Sequence, residues 1–240
     1  MPYLFLQIFM KNLFSRIKDK IANAIFPVYC FNCGKEGSWL CEDCMSFMEF
    51  FPVFLCPKCG KKSYLGRVCK RCLGKSFLDG IIAMDRYNNP LIQNLIKLLK
   101  FRYITDLEPI LNRLVRKFCL KYSEIFPADA VLVPVPLHPL RFRQREFNQA
   151  EFIANFVSNA LGYKILKILE RIRYTYRQSE LPKEMKENNI KGAFRCNGDL
   201  RGKNVILIDD IYTSGATMQE CAKVLKEAGA KEVWGFVLAR

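Results

Sequence analysis

Eight of the eleven cysteines sit before residue 73, and they come as spaced pairs. Cys30-x-x-Cys33 is followed after seven residues by Cys41-x-x-Cys44, and Cys56-x-x-Cys59 after nine residues by Cys69-x-x-Cys72. Two residues between cysteines let one tight turn aim both sulfurs at a single cation, and two such turns supply the four tetrahedral ligands of structural zinc. Gly34 and Gly60 follow the leading pairs, where a positive φ costs glycine little. Two tandem quartets therefore predict two zinc ions. Disulfides and iron–sulfur clusters are the competing uses of these thiols, and the odd total of eleven speaks against a disulfide scaffold. Sequential pairing is the simplest assignment, although an interleaved one satisfies the same spacing. A site closed by four sulfurs has no open position, so this metal folds the chain rather than catalysing. Cys119, Cys196 and Cys221 lie in apolar patterns and are expected in the core.

The rest of the 240-residue chain is built differently. Over residues 1–25, Leu13, Ile17, Ile21 and Ile25 recur every fourth position with Arg16, Lys18 and Lys20 between them, which predicts an amphipathic helix. Packing on its own domain is the favoured role for that helix, and association with a membrane surface is the alternative. Its charges and the lack of a small-residue cleavage site argue against a signal peptide, and no apolar run reaches the ~18 residues of a membrane span. The cysteine module spans 26–75. From 78 to 240 apolar strand runs alternate with helical periodicity: DGIIAMDRY, ADAVLVPVPL, KNVILIDD and EVWGFVLA as strands, with helices opening at Pro90 and running through LEPILNRLVRKFCLKY, FNQAEFIANFVSNALG and ATMQECAKVLKEAG. Buried strands separated by helices predict an α/β fold with a parallel sheet.

The most specific stretch is Val205-Ile-Leu-Ile-Asp209-Asp210-Ile-Tyr-Thr213-Ser214-Gly215-Ala216-Thr217. A buried strand delivers two carboxylates, a loop of Thr, Ser and Gly follows, and a helix begins. Free amides and hydroxyls at a helix N-terminus suit a phosphate, and Gly215 lets the backbone approach it closely. The paired acids would repel that phosphate, so their partners are hydroxyls or magnesium. A ribose 5-phosphate, with a diol beside its phosphate, fits the layout. A mere turn, with Asp210 and Thr213 bonding locally, is the plainer alternative.

This stretch resembles the ribose-phosphate signature of type I phosphoribosyltransferases, which bind phosphoribosyl pyrophosphate (PRPP). The order of parts, a cysteine zinc ribbon before such a domain, resembles the ComF (ComFC) competence family. VPVPLHPLRFRQREFNQ (133–149), RQSELPKEMKENNIKGAF (177–194), RYNNPLIQNLIKLLKFR (86–102) and the closing VLAR carry the narrower likeness. The resemblance implies that Asp209 and Asp210 hold the ribose hydroxyls as the catalytic pair. It implies that Thr213, Ser214, Gly215, Ala216 and Thr217 hold the 5-phosphate. Arg141, Arg143 and Arg145 would face a magnesium-bound pyrophosphate, and Tyr174 to Ile190 would form a mobile loop. Glu146 stands where the family usually has glycine, and an acid beside a pyrophosphate is unfavourable unless it points away. The lone histidine, His138, lies in the same loop. General acid catalysis is open to it, but a turn or packing role is the favoured one.

The formal charge of +15, about +11 with two zinc ions on eight thiolates, calls for a polyanionic partner. Residues 141–177 hold eight Lys and Arg against three Glu. Within them Arg171, Arg173 and Arg177 interleave with Tyr174 and Tyr176, a pattern that follows phosphates and stacks on bases. An ordinary strand and loop is the alternative there. Lys58, Lys61, Lys62, Lys70 and Arg71 likewise decorate the second quartet. The leading expectation is a cytoplasmic competence protein that binds PRPP and handles single-stranded DNA, with a competence helicase or other uptake proteins as further partners implied by the resemblance. A magnesium-dependent phosphoribosyltransferase acting on a nucleobase-like acceptor is the runner-up. A PRPP sensor that works through its zinc ribbons is third.

Overall fold

The structure, a computed structural model, describes residues 27–99, 104–175 and 182–240. The helix expected over 1–25, together with Tyr176 and Arg177, lies outside the described residues. The chain divides into two compact units, Met1–Met48 and Glu49–Arg240. In the first, the leading cysteine pair forms a turn in which the Gly34 amide donates to the Cys30 carbonyl at 2.8 Å. The short helix α1 (Glu42–Ser46) carries the last cysteine of that quartet.

In the second unit the four long apolar runs become parallel strands: β1 (Gly80–Asp85), β2 (Ala130–Pro134), β6 (Asn204–Ile211) and β7 (Glu232–Ala239). With the two-residue β3 (Lys164–Ile165) they form one sheet in the order β1-β7-β6-β2-β3, every pair parallel. Val205 to Ile208 are fully buried, as expected of a strand covered on both faces. The crossovers are α2 (Pro90–Leu99), α3 (Ile104–Lys121), α5 (Gln149–Leu161) and α7 (Ala216–Glu227). Gly162 stops α5 in the left-handed conformation at φ 78°. The α/β class and the parallel sheet follow the sequence expectation.

Several smaller elements besides β3 were not foreseen. These are α4 (Pro139–Arg145), α6 (Lys183–Ile190) and an antiparallel pair, β4 (Leu169–Arg171) with β5 (Phe194–Cys196). In α4 and α6 the apolar periodicity is too short or too weak to announce a helix. The pair β4–β5 is only three residues long and joins segments more than twenty residues apart.

Candidate functional site

In each quartet all four sulfur ligand atoms lie within 4.8 Å of one another, and the grouping is sequential: Cys30, Cys33, Cys41 and Cys44, then Cys56, Cys59, Cys69 and Cys72. None is in a disulfide. The two knuckles are built alike. The Cys56 amide donates to the Lys61 carbonyl and the Gly60 amide to the Cys56 carbonyl, with Gly60 at φ 70°, as Gly34 is at 74° in the first. Backbone amides also face sulfur: Cys41 N donates to Cys30 Sγ and Cys69 N to Cys56 Sγ, each at 3.4 Å. Burial pushes both of those thiols up, but the amides around them outweigh it and bring Cys30 and Cys56 down to about 6. Burial and then the neighbouring sulfurs hold Cys72 up at about 12. Four sulfurs this close ionise together only around a cation, and an all-thiolate set suits zinc. By contrast Cys119 and Cys221 are deeply buried, and burial raises both thiols, which fits their expected place in the core, whereas Cys196, expected there too, is only half-buried against it.

The carboxyl end of the sheet carries the other chemistry. Asp209 and Asp210 lie near the end of β6, both half-buried, and the Asp210 amide donates to Asp209 Oδ1 at 2.9 Å. Alternation along the strand puts Asp209 on the face of Val205 and Leu207 and turns Asp210 to the opposite face. Thr213 and Ser214 are exposed, and Gly215 caps α7 in the left-handed conformation at φ 79° with no side chain of its own to bond the leading amides. Ser214 Oγ accepts from the Ala216 amide at 3.4 Å. Thr217 is half-buried. Beneath the loop Tyr212 is 4 % exposed, and its hydroxyl donates to the Pro57 carbonyl at 2.6 Å.

The loop after β2 reaches the same end of the sheet, because β2 pairs with β6 and the Val135 amide donates to the Ile208 carbonyl at 2.9 Å. His138 caps α4, with Nδ1 accepting from the Leu140 amide at 3.3 Å, and its ring meets Tyr174 edge-on at 5.2 Å. That is a turn role. Burial, then the charges of Arg171 and Arg141, hold its pKa below the ordinary value. Arg143 is exposed and Arg145 half-buried, both in the last turn of α4. Glu146 is exposed and ends that helix at φ 66°, the angle for which glycine is the ordinary choice.

Of the residues read as a nucleic-acid stretch, Arg173 and Tyr174 are exposed. Arg171 is not. It is 9 % exposed and lies over the Phe194 ring at 5.3 Å, a consequence of the β4–β5 pairing that turns it inward. Arg141 and Arg171 converge on Thr175: Arg141 donates to its carbonyl at 2.8 Å, Arg171 to its hydroxyl at 2.5 Å. Arg171 Nε is buried with no hydrogen-bond partner among the described residues. Burial first, then the charge of Arg141, lowers the Arg171 pKa to about 10, while Asp209 acts in the opposite sense. Arg171 and Tyr212 are thus members of this region that sequence reading did not assign to it, whereas Thr175 lies in the 174–190 segment that the resemblance did. Arg171 is brought there by its pairing with Phe194 and Tyr212 by its bond to Pro57, which no local sequence pattern announces.

A cleft of about 340 Å³ opens beside Ala216. Lys58, Lys75, Lys191 and Lys223 line it with half-exposed Phe77, against Glu187 and Glu220.

Comparison with known proteins covers both parts. A double zinc ribbon domain model matches residues 21–73, and a phosphoribosyl transferase domain model matches 148–240. Competence protein F of Haemophilus influenzae is 30 % identical over 89 % of this chain and 98 % of its own length. Competence protein ComFC of Streptococcus pneumoniae is 32 % identical over 85 % and 89 %, and the DNA utilization protein YhgH of Salmonella typhi 31 % over 78 % and 85 %. The shared length takes in both the cysteine knuckles and the sheet with its paired acids, and the chain belongs to the ComF (ComFC) family of competence proteins, a double zinc ribbon joined to a phosphoribosyltransferase domain.

Proposed function

We propose that this protein binds phosphoribosyl pyrophosphate, as its magnesium complex, at the carboxyl ends of β6 and β2, and handles single-stranded DNA during natural transformation. The observation that carries the first half is the β6–α7 loop: two half-buried acids lie near the end of a central strand, and a glycine-capped helix starts seven residues after the first of them. In this reading Asp209 and Asp210 accept from the ribose hydroxyls, and Thr213 to Thr217 cradle the 5-phosphate with hydroxyls and helix amides. Arg141 and Arg171 face the pyrophosphate. Two guanidinium groups converging on one residue repel each other, and a polyanion relieves that repulsion. Magnesium supplies charge neutralisation on the pyrophosphate.

The DNA half rests on kinship with proteins named for competence and DNA utilization, on the formal +15 charge, and on two exposed basic surfaces. One is Arg173 with Tyr174; the other is the lysine cleft beside Phe77. Lysines that track phosphates beside an aromatic face bind strands with little sequence preference.

Calorimetric titration with PRPP and magnesium tests the first half. Wild type should give a saturable heat, and Asp209→Ala/Asp210→Ala should weaken binding by tenfold to a hundredfold or more, since hydrogen bonds to charged acceptors contribute ~1.5–3 kcal/mol each. A wild type with no PRPP heat overturns it. For DNA, filter binding of an oligonucleotide across a salt series should show affinity falling linearly on logarithmic axes. No affinity even at low salt ends that half.

A further inference from the structure

The second cysteine knuckle is bonded to the underside of the phosphate loop. Tyr212 lies three residues before Gly215, and its hydroxyl donates to the Pro57 carbonyl, inside the Cys56-Pro-Lys-Cys59 turn. Arg240 lies over the Tyr212 ring at 4.7 Å and donates to the carbonyls of Leu55 at 2.7 Å and Cys56 at 2.8 Å. Both residues are held from the sheet as well: the Tyr212 amide donates to Ala239 O, and the Arg240 amide to Asp85 O. Gly215 is seated on the tyrosine so closely that a Cβ there would stand 2.1 Å from the hydroxyl oxygen. A continuous chain of contacts therefore runs from the Cys56 sulfur, through its own turn carbonyls and the Tyr212 ring, to the backbone that starts α7.

We infer that Tyr212 and Arg240 are positioning residues that make metal in the second knuckle a condition for a well-formed phosphate loop. Without metal, only backbone bonds hold the Cys56–Cys59 turn, and its sulfurs are no longer tied to those of Cys69 and Cys72. The carbonyls of Leu55, Cys56 and Pro57 then lose their fixed places, and the tyrosine that supports Gly215 loses its anchor. With metal bound, the loop amides are set before the anion arrives, and less ordering is needed on binding. Zinc loss would then lower anion affinity at a site these cysteines do not touch. The inference rests on reading the β6–α7 loop as a phosphate cradle.

Linkage supplies the test, because coupling between two ligands is reciprocal. The full-length chain is used on a Cys33→Ser/Cys44→Ser background, so that the metal measured belongs to the second quartet. Zinc affinity is read by equilibrium competition with a chromophoric chelator, with and without ribose 5-phosphate; ribose 5-phosphate affinity is read calorimetrically, with and without zinc. The sugar phosphate should tighten zinc binding by about fivefold or more, and zinc should tighten sugar phosphate binding by the same factor. Tyr212→Phe keeps the buried ring and deletes the bond to Pro57, and should bring both factors close to one while each ligand still binds. Arg240→Met should lower them too. A factor of one in the parent protein, with both ligands bound, overturns the inference, as does full coupling in Tyr212→Phe. Failure of ribose 5-phosphate to bind in any metal state instead removes the phosphate reading, and the coupling with it.

Discussion

Glu146 adopts a backbone angle that L-residues avoid, φ 66°, at the end of the seven-residue helix α4. A left-handed conformation costs a side-chain-bearing residue ~1–2 kcal/mol; glycine removes that cost, but its greater freedom when unfolded takes back part of the gain. Glu146→Gly should raise stability by about 1 kcal/mol, seen as a melting temperature ~2–4 °C higher. No rise would mean that the acid side chain makes a compensating contact. His138 is the chain's lone histidine, so one imidazole signal in a magnetic resonance titration reports on the whole loop. Burial and the charges of Arg171 and Arg141 set its pKa below the ordinary value. The folded state therefore resists protonating it: its contribution to stability is complete above pH ~6.5 and is lost as the pH falls below that. On the proposed reading, pyrophosphate beside Arg141 and Arg171 would offset their charges, so saturating PRPP should move this pKa upward. An unmoved pKa at saturation would put the anion elsewhere.

Among elements, the β6–α7 loop is the one whose geometry is least tolerant. Gly215 combines φ 79° with the close seat on Tyr212, so Gly215→Ala faces both strain and a clash. Ribose 5-phosphate affinity should fall at least tenfold, a loss of ~1.4 kcal/mol or more, in a calorimetric titration of the folded variant. Retained affinity would show that this turn does not hold the phosphate. The loop was readable from sequence because its information is local: an apolar run, two acids, small hydroxyl residues and a glycine, all contiguous. The strands β1, β2, β6 and β7 were readable for the same reason. Arg171 was not. Its inward turn depends on Arg171 pairing with Phe194 across β4 and β5, and a stretch that alternates arginine with tyrosine looks solvent-facing until that partner is known. Nor could His138 be settled by sequence, since its capping bond to Leu140 depends on a helix too short to show periodicity.

Across the whole molecule, the two quartets look alike in sequence, but the second lies in the compact unit that contains the sheet. Val53 donates to Ala83 of β1, Val68 to Asp79, and Arg67 bridges to Gly80, so the ribbon lies along the first strand. No spacing rule announces such bonds, nor those that Tyr212 and Arg240 donate to Leu55, Cys56 and Pro57. Stripping zinc should consequently destabilise more than the cysteine turns. Metal that binds only the folded chain, at a concentration a thousandfold above its dissociation constant, stabilises by ~4 kcal/mol. Chelation should lower the melting temperature by roughly 10 °C, with recovery on adding zinc back. An unchanged melting curve would mean that the sheet does not depend on its ribbons. The order of strands has a separate bearing on how the molecule is made. β7 is the latest of the sheet's strands to be synthesised, yet it lies between β1 and β6. A nascent chain that has already released β1 and β6 from the ribosome still has a gap in the middle of its sheet, and the paired acids sit on a strand whose inner neighbour is missing. Assembly must wait for residue 239, a late and long-range closure that leaves apolar strand edges open to chaperones in the meantime.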